Sequence, residues 1–307
     1  MAQNLNSGYG MLASHIQATT LSGGQVIMVA KSAAAGVDIL KNIYRPDSDG
    51  RVRFASTIDG AMDLCVASRG DLVLVAPGHT ETVTSAITLD IAGVKVLGLG
   101  WGNLRPTITV NGTIDGVNIN ADNVWFDNFN FAAPGTDDQT AVININGVDG
   151  VTVRNIFAIG STTAKNVVDM ITVVASSDNL LIENIDFYNA TVAVNSFISL
   201  EGASAHVTLK NIKCFGLVVA GGLIDGALVT NLFMEDVRIA VTGTTKPAAT
   251  LDSNPTGMAR NCFFSGTDTT LANNGALGNA LRVDNIKVLE ETDNSKSAAI
   301  IPAVDAD

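Results

Sequence analysis

Apolar and polar residues alternate in a short pattern that recurs along most of the chain. In seven segments an apolar stretch leads to a charged residue, then to Asn or Asp, and then to further alternating apolar positions. The marker positions are Asn128, Asn155, Asn184, Asn211, Asp236, Asn261 and Asn285. Successive markers lie 27, 29, 27, 25, 25 and 24 residues apart. A repeat of this length with short strands of period two indicates a solenoid, and the Gly-rich, helix-poor units predict an all-β parallel β-helix.

A single repeat shows how each coil would fold. In residues 166–191 a β-branched run, MITVV, precedes the turn sequence SSDN and two alternating stretches on either side of Asn184. Alternation places the apolar side chains in the interior of the coil, while Glu183 and Asp186 face water. One coil cannot bury its own apolar face, so we expect successive coils to stack at about 4.8 Å and to pair their backbones.

The recurring Asn is predicted to occupy a sharp bend between two strands. Asn tolerates the left-handed backbone conformation that such a bend requires, and its amide both donates and accepts hydrogen bonds. Stacked Asn side chains would therefore bond one another along the rod. Asp236 would interrupt this ladder because a carboxylate only accepts, so we expect a backbone donor or a water there. A row of sugar-binding amides is the alternative role for these residues.

The repeat does not extend into the N-terminal part of the chain. The sequence QVIMVAKS predicts a strand, and a short helix is predicted over residues 32–44, with Val37, Leu40 and Tyr44 on one side. We therefore expect residues 1–55 to form a small α+β docking element, distinct from a β-helix over residues 56–290.

A helix over residues 56–67 is predicted to close the open end of the solenoid. Ser56 and Asp59 have the spacing of a capping box. The apolar face of this helix would consist of Ile58, Ala61, Met62, Cys65 and Val66. An uncovered end would expose the core and unpaired strand edges. Regular coils are expected over about residues 105–290, and a C-terminal tail over residues 291–307.

Composition narrows the classes of partner. The net charge is −12, which disfavours nucleic acid and anionic membranes, and no segment approaches the length of a membrane span. Aromatic residues make up 5% of the chain, which is fewer than we expect for a protein whose oligosaccharide groove displays aromatic platforms.

The start of the chain lacks the features of a signal peptide. Cys65, Cys214 and Cys262 form no CxxC pair, so we expect buried free thiols and synthesis in a reducing cytoplasm.

The best catalytic candidates are Asp137 and Asp138 in one predicted loop. Paired carboxylates can flank a glycosidic bond, and neighbouring coils offer Asp169, Glu201 and Asp225 as further acids. Asp138, Asp169 and Glu201 lie 17, 15 and 10 residues before the next ladder Asn, so these acids share no column. We therefore interpret Asp137 and Asp138 as a solvated turn, and we expect no enzymatic activity, metal site or cofactor.

The chain from residue 56 to residue 290 resembles a known superfamily. The stretches STIDGAMDLC, GDLVLVAPG with Thr80 and Glu81, and GVTVRNI are similar to the right-handed parallel β-helix of the pectate-lyase-like superfamily. More narrowly, the stretches DLVLVAPGHTETV and LDIAGVKVLGLGWGNLRPTITV are similar to β-helix proteins encoded by tailed bacteriophages.

This resemblance implies a virion structural protein, which would be a capsid decoration, a head fibre or a tail appendage and would act as a homotrimer. Residues 1–55 would bind the major capsid protein or a tail protein. The chain would be synthesised in the host cytoplasm and located in the virion. The superfamily also contains enzymes. The alternative is therefore a polysaccharide-degrading or glycan-binding tailspike module with a host surface glycan as partner.

Overall fold

The chain folds into a parallel β-solenoid of about nine turns with only 6% helix, as the repeat predicts. The computed structural model describes residues 23–31, 36–46, 48, 50–134, 137–160, 167–242, 245–251, 253–267, 275–278, 280–290 and 297–299. Parallel strands of successive coils pair in register and form three faces, here called the first, second and third face in chain order within a coil.

The three faces contain strands of successive coils. The first face consists of β1 (Val26–Val29), β3 (Leu72–Val75), β6 (Lys95–Gly98), the beginnings of β9 (Trp125–Phe131), β11 (Thr152–Ile159), β13 (Leu181–Leu200), β15 (Thr208–Asp225) and β17 (Leu232–Thr242), then β19 (Gly257–Arg260) and β22 (Leu281–Asp284). The second face consists of β4 (Thr80–Val83), β7 (Thr107–Val110), later parts of β9, β11, β13, β15 and β17, then β20 (Phe263–Gly266) and β23 (Lys287–Glu290). The third face consists of β5 (Ile87–Leu89), β8 (Val117–Ile119), β10 (Gln139–Ile145), β12 (Val167–Val173), the ends of β13 and β15, then β18 (Ala249–Thr250) and β21 (Gly275–Ala276).

The interior is filled by columns of apolar side chains in register. One column of the second face, buried throughout, runs through Ile108, Phe131, Ala158, Phe187, Cys214, Ile239, Phe264 and Val288. Ala158 lies between two Phe side chains, so a small residue offsets the volume of its neighbours. The predicted free, buried thiols are present, and burial raises the pKa of Cys65 to about 12 and that of Cys262 to about 11. These thiols are therefore protonated at neutral pH.

Two columns of left-handed residues turn the chain at the corners of each coil. All seven marker residues have positive φ, between 48° at Asn211 and 71° at Asn128, as predicted. A second column, which the sequence analysis missed, lies five positions earlier in each of five coils. It consists of Asn123, Gly150, Asn179, His206 and Asn231. In this column Asn123 N–H donates to the carbonyl of Asp149, so the corner is bonded to the next coil.

The N-terminal region begins the solenoid within residues 1–55, ahead of the predicted boundary. Strand β1 pairs in parallel with β3 over four residues, and β2 (Phe54–Ala55) pairs with β1. The helix predicted over residues 32–44 is α1 (Val37–Ile43), and residues 32–35 lie outside the described residues. Its predicted face packs on the outside of the first face, where Val37, Leu40 and Tyr44 join Met28, Leu72 and Leu74.

The capping helix, α2 (Ile58–Met62), is shorter than predicted, and Thr57 rather than Ser56 is its N-cap. Thr57 has the extended backbone of an N-cap residue, and its hydroxyl accepts from Gly60 N–H over 3.1 Å. Because the helix ends at Met62, Val66 is 50% exposed instead of buried. Asp59 accepts from Thr88 N–H over 2.9 Å, which satisfies a donor of the first strand on the third face.

The boundaries of the regular coils also differ from those predicted. The strands β3, β4 and β5 already form a complete coil well before residue 105. Within the predicted tail, β24 (Ser297–Ala299) pairs antiparallel with β23. Residues 291–296 and 300–307 lie outside the described residues. The remaining short strands, β14 (Ser204–Ala205) and β16 (Val229–Thr230), pair with each other.

Candidate functional site: the corner groove and the outer strip

A ladder of alternating charge runs along the outer surface of the first face. Its members, one per coil and in register, are Asp127, Arg154, Glu183, Lys210, Glu235, Arg260 and Asp284. Arg154 contacts Asp127 at 2.7 Å, Lys210 lies 3.9 Å from Glu183 and 3.6 Å from Glu235, and Arg260 pairs with Glu235. Ion pairs within the chain therefore join Asp127 to Arg154 and connect Glu183, Lys210, Glu235 and Arg260.

The predicted amide ladder lies one residue further along, at the corner between the first and second faces. Asn184 Nδ2 donates to Asn155 Oδ1 over 3.0 Å, and Asn211 Nδ2 donates to Asn184 Oδ1 over 2.7 Å. Asn155 Nδ2 in turn donates to a carboxylate oxygen of Asp127 over 2.7 Å. A separate hydrogen bond joins the side-chain amides of the last two markers, where Asn285 Nδ2 donates to Asn261 Oδ1 over 2.8 Å.

Asp236 interrupts the ladder, as expected. Among the described side chains, no hydrogen bond joins its carboxylate to Asn211 or to Asn261, and the backbone donor that we expected is not found there. The backbone of Asp236 keeps the left-handed conformation of the other markers, with φ of 55°. The interruption thus affects the side-chain bonds and leaves the bend intact.

A groove of about 570 Å³ follows the intact part of the amide ladder. This corner groove is lined chiefly by Trp101, Arg105, Asn155, Asn184, Asn211, Asp186 and Lys213. The amides project into it from successive coils, which are about 4.8 Å apart. Trp101 and Arg105 stand at one end, and Lys213 at the other.

The loop that carries Trp101 is held by the first member of the amide ladder. Asn128 Nδ2 donates to the carbonyl of Gly98 over 2.6 Å and to that of Gly100 over 3.1 Å. A 3-10 turn over Gly102–Leu104 follows Trp101, and Leu104 N–H donates back to the Trp101 carbonyl over 3.1 Å. Trp101 is nevertheless 83% exposed. The fold therefore fixes the backbone of Trp101 and leaves its indole ring exposed to water.

Arg105 lies against this indole and is partly buried. Its guanidinium carbon is 5.8 Å from the centroid of the Trp101 ring, within cation–π range. Burial lowers its pKa, and the carboxylate of Asp127 opposes that effect. Its Nε is buried and has no hydrogen-bond partner among the described residues. Arg105 therefore keeps one guanidinium N–H that no described residue satisfies, while its side chain lines the corner groove.

The outer surface of the second face exposes apolar side chains beside the groove. This outer strip consists of Phe157, Ile159, Tyr188 and Phe215, which are 36%, 37%, 47% and 44% exposed. The rings of Tyr188 and Phe215 stack with centroids 5.7 Å apart and planes 9° from parallel. Along each strand these side chains alternate with those of the buried column, so the strand register places them on the outer surface. They belong to paired strands and not to a loop.

The structure does not bring the catalytic candidates together. Asp137 and Asp138 are exposed and precede β10, while Asp169 lies beside Ala141 and accepts from the Ser196 hydroxyl over 2.6 Å. The other two candidates are also engaged in the third face: Glu201 accepts from the Ser199 hydroxyl over 3.1 Å, and Asp225 accepts from that of Ser253. Asp169, Glu201 and Asp225 thus each accept from a different serine hydroxyl.

Comparison of the chain with protein-family models, with curated proteins and with solved structures finds no match. Within the described ranges, no helix is long and apolar enough to cross a membrane. Across those same ranges, no group of three or more His, Cys, Asp and Glu residues is arranged to hold a metal ion. The geometry of the corner groove and the outer strip is therefore the basis for a functional argument.

Sequence reasoning missed the charge ladder and the outer strip, although each leaves a signal in the sequence. Once the markers are aligned, the residues just before them alternate in sign, which identifies the charge ladder. The residues two and four places after Asn155 and Asn184 include Phe157, Ile159 and Tyr188, which alternation assigns to the outside. Trp101 gave no comparable signal, because it lies in a loop ahead of the first marker.

Proposed function

We propose that the protein is a non-enzymatic structural component of a bacteriophage virion, a capsid decoration, head fibre or tail appendage that acts as a homotrimer of β-helices. The observation that carries the proposal is the outer strip of the second face. The resemblance to β-helix proteins of tailed bacteriophages, which lies mainly in residues 70–110, supplies the virion context. A β-helix suits this role because its continuous backbone pairing leaves few segments open to local unfolding.

The outer strip is the kind of surface that association covers. Four large apolar side chains in adjacent coils form one continuous patch, and contiguous exposed patches mark interaction sites more often than scattered residues do. A groove lined by Tyr188, Phe215 and Phe263 extends the strip towards later coils. Burial of these side chains would contribute about 25 cal/mol for each Å² of apolar surface removed from water.

The charges beside the strip favour a second copy of the chain as its occupant. Asp186, Lys213 and Arg238 lie in register on three successive coils of the same face. Since both signs occur side by side on this face, the partner that matches it also carries both signs, as a second copy of the chain does. A partner surface of uniform charge would place like charges opposite either the carboxylate or the two cations.

Lateral association also agrees with the condition of the solenoid ends. At the N-terminal end, α2 covers the core and Asp59 satisfies the Thr88 N–H of the third face. At the C-terminal end, β24 occupies the edge of β23. Covered edges oppose end-to-end strand pairing between copies. These covered edges therefore favour contact along the side of the rod.

The N-terminal region remains the proposed attachment to the major capsid protein or a tail protein. Helix α1 buries Val37 and exposes Ile39 and Ile43, which are 65% and 60% exposed. These two apolar side chains face away from the solenoid and are available to a partner. Deleting residues 1–55 would also remove β1 and expose the edge of β3, so point substitutions in α1 give the cleaner test.

Light scattering on the purified protein tests the association. We expect a mass three times that of the 31.8 kDa chain. The double variant Tyr188→Thr, Phe215→Thr keeps β-forming residues in both strands and should shift the mass towards the monomer. Val174→Thr, which changes a 39% exposed apolar residue next to the third face, is the matched control and should keep the wild-type mass. A monomeric wild type would overturn the proposed assembly.

Mass spectrometry of purified particles tests the location. We expect the chain in particles of the virus that encodes it, at a fixed ratio to the major capsid or tail protein. Ile39→Glu with Ile43→Glu should remove it from the particles while leaving the free protein folded. Particles that lack the wild-type chain, although the lysate contains it, would contradict a structural role.

A further inference from the structure

Trp101 is the most exposed large apolar side chain of the described residues. Its loop is tied to the amide ladder through Asn128, so the exposure belongs to a bonded backbone rather than to a free chain end. An indole held in water forgoes the hydrophobic stabilisation that burial would give. A flat apolar ligand surface that covers the ring would recover that stabilisation.

The ladder amides provide the polar complement to this indole. Along the rod, Asn155 and Asn184 each use one Nδ2 hydrogen and one bond to Oδ1. Each amide has a second hydrogen and a second lone pair, which the ladder leaves available towards the corner groove. Hydroxyl groups, which both donate and accept, match such a row of amides at about 4.8 Å intervals.

The charges of the groove restrict the ligand further. The groove contains two cations, Arg105 and Lys213, and one carboxylate, Asp186, in a chain whose net charge is −12. The planar guanidinium of Arg105 suits a carboxylate, and its buried Nε has no partner among the residues that the structure describes. Nucleic acid, which would also stack on Trp101, is opposed by the net charge and by the small number of cations.

We propose that the corner groove binds an oligosaccharide, with one sugar ring against the face of Trp101, hydroxyl groups on the ladder amides and a sugar carboxylate on Arg105. This binding site goes beyond the structural role proposed above and does not depend on it. The ligand is an extended chain of sugars, because the lining residues occupy successive coils instead of one closed pocket.

A glycan array tests the ligand class. Each carboxylated oligosaccharide should be printed beside its neutral parent, and both should be probed with the full-length wild type. We expect binding to carboxylated members, a loss of at least tenfold in Trp101→Ala, and a loss confined to the carboxylated member of each pair in Arg105→Gln. Leu228→Ala, another exposed apolar residue outside the groove, is the matched control and should bind as the wild type does.

Intrinsic fluorescence tests the location, because the chain has only two tryptophans. Trp125 is half-buried on the first face, between Lys95 and Arg154, and does not line the groove. A bound sugar found on the array should therefore change the emission of Trp125→Phe, in which Trp101 alone reports. The emission of Trp101→Phe should not respond to the same sugar.

Three results would overturn this site. They are an array without any binding by the wild type, sugar binding that Trp101→Ala leaves unchanged, and equal losses for neutral and carboxylated sugars in Arg105→Gln. The first two reject the groove as a glycan site, and the third rejects the role of Arg105. Trp101→Ala should keep the oligomeric mass of the wild type, so failure here is distinguishable from failure of the proposed assembly.

Discussion

The first and second faces of the solenoid distribute charge in opposite ways. On the first face each member of the charge ladder, from Asp127 to Asp284, has an opposite charge on the neighbouring coil. On the second face Asp186 is followed by two cations in succession, Lys213 and Arg238, beside aromatic rings in water. Within the described residues no ion pair joins these three side chains.

The difference separates a surface that specifies the fold from a surface that is open to a partner. In a parallel solenoid, shifting a coil by two residues would keep its apolar side chains inside but would disturb the charge ladder and the amide ladder. These ladders therefore help to select the register of each coil. The second face has no such internal pairing, and its unmatched charges and apolar strip remain for contacts outside the chain.

The largest effect is expected at two neighbouring residues of β13. Phe187 lies in the buried interior with its ring 5.4 Å from that of Phe197, so Phe187→Ala should lower the free energy of unfolding by about 3–5 kcal/mol. Tyr188→Thr should change the stability of the isolated chain by about 0.5 kcal/mol or less. Denaturation at a concentration where both variants are monomeric measures the contrast, and equal losses would contradict it.

The next effect concerns the amide ladder. Asn184→Leu should cost more than about 1 kcal/mol, because Asn155 Oδ1 and Asn211 Nδ2 lose their ladder partner and a Leu is placed in a left-handed bend. Asn184→Gly keeps the left-handed backbone and isolates the loss of the amide. A denaturation midpoint that Asn184→Gly does not lower would show that the ladder adds no stability. Asn120→Leu, at an exposed position outside the ladder, is the control.

Charge reversal compares the two faces directly. Glu235→Lys would place three cations in a row between Lys210 and Arg260, and it should cost about 1–2 kcal/mol. Asp186→Lys on the second face also places three cations in register, with Lys213 and Arg238, but it breaks no internal ion pair and should therefore cost less, about 0.5 kcal/mol in the isolated chain. Added salt should reduce the first loss. Similar costs for both reversals would mean that the alternation does not stabilise the first face.

The smallest effect is a repair of the ladder. Asp236→Asn supplies a donor towards Asn211 and an acceptor towards Asn261, while Asn tolerates the left-handed backbone at this position equally well. We expect a gain of about 0.5–1.5 kcal/mol, measured as a higher denaturation midpoint. A lower midpoint would mean that the carboxylate at this position has a stabilising partner of its own.

Much of the fold was predictable because its information is local and repeated. The apolar alternation and the Asn markers predicted the interior columns and the left-handed bends, since both depend on short-range backbone geometry. The N-cap of α2 was misplaced by one residue because Ser56 and Thr57 both have suitable side chains. Only the backbone, extended at Thr57, decides between them.

The surfaces were less predictable because the repeat is irregular. Spacings of 24 to 29 residues hide which charges are neighbours until the coils are stacked in register. The corner groove combines Trp101 with amides that lie between 54 and 110 positions later in the chain, from Asn155 to Asn211. No local pattern connects such residues.

By itself, the sequence determined that the chain forms stacked coils with an apolar interior and Asn at the bends, because period-two alternation and left-handed tolerance are properties of individual residues. The tertiary structure decided that β1 joins the first face, that ion pairs within the chain join members of the charge ladder and that Trp101 faces the amides. Those outcomes depend on which coils become neighbours. Stacking sets that relation through backbone pairing between residues far apart in sequence.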